Sequence, residues 1–146
     1  MSLKSNYISL LEQLLMHLKN AKLVYLRAAD VANHTEDKRR FNQEARLRNH
    51  FFQTVLSQLQ RENIGLDDLV IRNFNFDQLL ISSLNNRKSG VIEKCIEADS
   101  YLITLYQKVT ALPIKDSVFT DQMEKINFAI AHCKDRLPVS HLVKEH

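Results

Sequence analysis

Glycine and proline occur only twice each in 146 residues, as Gly65, Gly90, Pro113 and Pro138. Tight hairpin turns draw on these residues, so a fold of many short strands has too few places to reverse. No apolar run approaches the roughly 18 residues that a membrane span needs. No charged, apolar and small-residue succession of a secretory signal opens the chain, so a cytoplasmic protein is expected. Cysteine is scarce as well. Cys95 and Cys133 lack C-x-x-C spacing, which argues against a zinc site or a thioredoxin-like motif. An excess of one charge is also missing: 20 Lys and Arg stand against 17 Asp and Glu, a net charge of +3. The basic triplet Lys38-Arg39-Arg40 follows Glu36 and Asp37 and points three ways around a helix. A nucleic-acid footprint would gather one sign on one face, so no nucleic-acid partner is expected. The chain has no glycine-rich phosphate loop and no H-x-x-x-H or H-E-x-x-H spacing.

What remains is a chain 45% hydrophobic and 25% charged, the composition of one globular domain with one core. Its apolar residues recur at three- and four-residue spacing. Tyr7, Leu11, Leu14, Leu18, Tyr25 and Ala29 mark a first helix from about Ser5 to about Val31. Thr35 reads as the cap of a second helix running to about Glu62, with Phe41, Ala45, Phe52, Val55, Leu56 and Leu59 inward. Asn63 and Gly65 stop it. A third helix spans about Gly90 to Ala111, capped by Ser89, with Val91, Ile92, Cys95, Leu102, Tyr106 and Val109 inward. A fourth starts near Asp116 or Ser117 and carries Phe119, Met123, Ile126, Ile130, Cys133 and Leu137 to the stop at Pro138.

Loop lengths set the expected topology. The links inside each hairpin are short, whereas about 66–88 is an irregular crossover, with Phe76, Leu79, Leu80 and Leu84 suggesting a short helix. A link of that length returns along a bundle about 40 Å long, which makes helices two and three parallel. The expected domain is a single four-helix bundle over 1–137 with a tail at 138–146.

Three charged residues fall inside apolar faces: Lys22 near Leu18 and Tyr25, Arg48 between Ala45 and Phe52, and Asp99 between Cys95 and Leu102. Tyr25 and Tyr106 add phenols to the same interior, as does Tyr7. A buried charge must find a partner or neutralise itself. Lys22, Arg48, Asp99, Tyr25 and Tyr106 are therefore expected to form a polar core network, with Asp99 paired to Arg48 or Lys22. Leu47 and Phe51 widen the apolar arc of helix two beyond one core face. They mark a candidate interaction surface, unless the crossover covers them.

Phe41-x3-Ala45-x2-Arg48-x3-Phe52, Cys95-x3-Asp99-x6-Tyr106 and Tyr25-x2-Ala28-Ala29-Asp30 together resemble a bacterial domain-of-unknown-function family of ferritin-like four-helix bundles. The likeness runs from about Ser5 to Leu137 and implies the fold without an assigned activity. Ferritin-like proteins hold two metal ions with a Glu from each of two helices and Glu-x-x-His from the other two. At the positions this resemblance implies, Lys22 replaces an acid, Glu44-x-x-Leu47 lacks the His, and helix four offers only Ile126 and Ala129. One interior carboxylate and two cations do not balance two divalent metals. The expectation is a non-enzymatic bundle without cofactor or catalytic residues, acting through self-association, as a dimer, or through a protein partner. The alternative is a metal or redox protein with a rearranged site around Asp99 and Glu44.

Overall fold

The computed structural model describes residues 3–62, 90–114 and 116–137, all in helices and their connections, with no strand among them. Four helices appear in order: α1 Leu3–Val31, α2 Thr35–Arg61, α3 Val91–Thr110 and α4 Ser117–Asp135. The crossover expected at about 66–88, the Ser89 cap and the tail at 138–146 lie outside the described residues.

Local chemistry sets the helix ends. Thr35 is the first residue of α2 and not its cap; His34 takes the cap position with extended backbone and no side-chain bond. Glu36 and Asp37 nonetheless stand in the first turn, where the helix dipole favours acids. At α3, the Glu93 carboxylate reaches back to accept from the Gly90 N–H at 2.7 Å, satisfying a donor that the first turn leaves open. The α3 helix closes with Ala111 and Leu112 N–H groups bonding to Gln107 and Val109 carbonyls, just before Pro113. Asp116 caps α4, its Oδ1 accepting from the Val118 N–H at 3.0 Å.

Contacts along the helices fix their directions. Lys4 pairs with Glu62 at one end of α1 and α2, and Lys38 donates to the Ala29 carbonyl at the other, so these two are antiparallel. Tyr7 meets Phe119 edge-on while Tyr25 reaches Cys133, so α1 and α4 run the same way. Tyr106 bonds to Gln122 across the short α3–α4 hairpin. It follows that α2 and α3 run in the same direction, with the end of α2 and the start of α3 at opposite ends of the bundle. The α1 helix packs extensively on both α2 and α3, and α3 on α4. Asp37 to Arg136 and Gln58 to Asp116 tie α2 to α4.

Packing centres on α1, where Leu11, Leu14, Leu15, Leu18, Ala21, Tyr25 and Ala28 are wholly buried. Burial of each large side chain contributes about 1.5–3 kcal/mol. Val55, Leu59, Leu102 and Ile126 close the core from the other three helices. Helix α2 is rotated relative to its apolar pattern, because Phe51 is buried and Phe52 only half-buried. Phe51 shares a flank with Asp37 and Gln58, fourteen and seven residues away. That flank is the one that contacts α4.

Candidate functional site

The two charged residues with no exposed surface meet in one cluster, to which each of the four described helices contributes a side chain. Arg48 of α2 and Asp99 of α3 have no exposed surface. The pair is bidentate: Arg48 Nε donates to Asp99 Oδ1 at 3.0 Å and Nη2 to Oδ2 at 2.7 Å. This fork-to-carboxylate geometry is the strongest form of such a bond. Arg48 Nη1 turns back along its own helix to Glu44, donating to the carbonyl at 2.8 Å and to Oε1 at 2.9 Å. Four of the five guanidinium N–H groups are thereby engaged. The other Glu44 oxygen lies 3.6 Å from Arg40 Nε.

Tyr25 of α1 completes the cluster twice over. Its hydroxyl donates to Asp99 Oδ2 at 2.6 Å, and its ring lies under the guanidinium, 3.9 Å from the Arg48 Cζ to the ring centroid. The same hydroxyl is 3.5 Å from the Cys133 sulfur of α4. Asp99 therefore accepts three hydrogen bonds, two of them from a cation.

The electrostatics follow from burial. Desolvation pushes the Asp99 carboxyl up, and the Arg48 guanidinium and the Tyr25 hydroxyl oppose it. Burial favours loss of the Arg48 proton, but Asp99, Tyr25 and Glu44 more than offset it, so Arg48 is held above its ordinary value. Burial raises Tyr25 and Cys95 far above their usual ranges, and raises Cys133 against the opposing Tyr25 bond. A thiol so placed stays protonated and is a poor nucleophile. A phenol kept protonated acts here as a donor.

Of the residues expected in one network, Arg48, Asp99 and Tyr25 come together; Lys22 and Tyr106 do not join them. Lys22 sits half-buried on the α1–α2 seam and donates to Asn49 Oδ1 at 3.2 Å. Asp99 lies on another side of α1, and a second buried cation beside one carboxylate would be uncompensated. Tyr106 is wholly buried, but it stands seven residues beyond Asp99 on α3, about 10 Å along the axis. Its hydroxyl donates to Gln122 Oε1 at 2.6 Å, and burial raises its pKa.

Phe51, expected on an interaction surface with Leu47, is 3% exposed in a single copy of the chain. It fills the α2–α4 flank and offers nothing to a partner. Leu47 is partly buried against the same core. Gln122 and the double contact of Glu44 escaped the sequence reading. The i,i+4 spacing of Glu44 and Arg48 carried a signal for the second; nothing in the pattern of α4 singled out Gln122.

No group of three or more His, Cys, Asp or Glu side chains among the described residues is placed to hold a metal ion. No described helix is long and apolar enough to cross a membrane. No protein-family model, no curated protein and no solved structure matches the chain.

Proposed function

We propose that this chain is a ferritin-like bundle that has lost its di-metal site and works, without catalysis, through self-association. The observation that carries the reading is the saturation of the central carboxylates from within the chain. Both Asp99 oxygens and one Glu44 oxygen accept from Arg48, so a guanidinium bridges the two acids as a bound cation would. The parallel course of α2 and α3 supports the one-crossover connection of ferritin-like folds.

With its polar interior committed, the chain has its surface left for function. Phe128 on α4 is 68% exposed and Tyr101 on α3 is 58% exposed. Phe128 is the apolar side chain that a second copy would cover. Sedimentation at about tens of micromolar is expected to give twice the 17.0 kDa chain mass, and Phe128→Ser to return it toward one chain. A single-chain mass for the wild type at every concentration would remove self-association and leave binding of a different protein.

A metal or redox protein with a site around Asp99 and Glu44 is the alternative. It has less support, because a metal would have to displace Arg48 from both carboxylates and leave that guanidinium buried without a partner.

A further inference from the structure

A half-open cleft of about 170 Å³ lies between α1 and α2, with Arg48 of the ion cluster in its lining. It is lined by Leu18, Lys19, Lys22, Arg48, Asn49 and Phe52. The volume is roughly ten times what one water needs. We infer that this cleft binds a small organic carboxylate with a short apolar or aromatic body.

The cation is the first reason. Lys22 is half-buried, and its hydrogen bond is to a neutral amide, Asn49 Oδ1 at 3.2 Å. No ion pair joins it to a carboxylate among the described residues. An ammonium carries three donors, so two remain for a ligand, and the Nδ2 hydrogens of Asn49 add more. Lys19 stands at the exposed mouth with a second positive charge. Arg48 is committed to Asp99 and Glu44, so it forms the inner wall without being the principal donor.

The shape of the donor set selects the anion. The cleft lies against the middle of two helices, whose backbone N–H groups are spent on their own turns. Among the described lining residues, none belongs to a helix N-terminus, which would supply the many donors that a phosphate group takes. Two side chains, one charged and one amide, match the two oxygens of a carboxylate. The half-buried Phe52 then offers an apolar wall to the rest of the molecule. The inference is independent of self-association, because it uses neither α4 nor Phe128.

The probe is benzoate, titrated to about 10 mM into the full chain and followed by backbone amide chemical shifts. Saturable shifts are expected around Lys22, Asn49 and Phe52. Benzamide, the neutral analogue, is expected to bind at least tenfold more weakly, and inorganic phosphate to fail as a competitor. Lys22→Met is expected to weaken benzoate at least tenfold. Absence of saturable shifts at these positions would overturn the inference. So would equal binding of benzamide, equal competition by phosphate, or unchanged affinity in Lys22→Met. The ligand comparisons on the wild type decide the matter even where the variant does not fold.

Discussion

An arginine and an aspartate without exposed surface depend on each other. Asp99 alone would be a buried, uncompensated charge, and Arg48 would keep only its bond to Glu44, whereas the two together break about even against an apolar pair. Asp99→Ala is therefore expected to cost about 3–5 kcal/mol in urea unfolding, because Arg48 keeps its charge, loses its bidentate partner and retains only Glu44. Adding Arg48→Met should recover part of that loss. Strictly additive losses would mean that the two do not interact. His17 provides a separate pH dependence. Its ring stacks on Tyr101 at 5.5 Å, and burial lowers its pKa from the ordinary 6.5. The folded state thus favours the neutral ring: the contribution is fully present above pH 6.5 and is lost as pH falls through the lowered folded value. Unfolding free energies of wild type and His17→Gln, compared across that window, should converge as pH falls. A difference that stays constant would contradict this assignment.

At the scale of the helices, termini and faces differ in how far sequence reveals them. The three- and four-residue spacing placed all four described helices within a few residues of their bounds. It also put Tyr25, Arg48 and Asp99 on inward faces, because a helix face is a local property. Which flank of an inward face meets which neighbour is not local. Phe51 and Phe52 stand on opposite flanks of Arg48's row, and only the position of α4 decides that Phe51 is covered. Lys22 differed for the same reason, as its flank of α1 faces α2 and not α3. Capping is partly readable: an acid before Ser117 is a cap by chemistry, while Thr35 yielded to His34 without a side-chain bond. Asp116 serves two elements, accepting from Val118 N–H and, through Oδ2, from Gln58 of α2 at 3.0 Å. Asp116→Ala is expected to cost about 0.5–2 kcal/mol in thermal or urea unfolding. Once that change is made, Gln58→Ala should cost nothing further; an undiminished cost would show that the α2–α4 bond is idle.

Across the whole bundle, one small cluster links all four described helices. Tyr25 comes from α1, Arg48 and Glu44 from α2, Asp99 from α3 and Cys133 from α4. Such a cluster sets the register of α2 against α3, since sliding either by a turn of about 5.4 Å would break the bidentate Arg48–Asp99 bond, and the Tyr25 hydroxyl ties α1 to the same carboxylate. The charged positions were legible as exceptions to an apolar pattern. Their partners were not, because pairing depends on how four helices meet. In the function proposed above, Arg48 fills the place of a metal between Glu44 and Asp99. Any ligand that binds only the folded state raises its unfolding midpoint, so the most direct test is thermal unfolding with a chelator and with manganese, iron(II) or zinc titrated in. An unchanged midpoint throughout is the expected result. A saturable rise with one of these metals, abolished in Asp99→Asn, would contradict it.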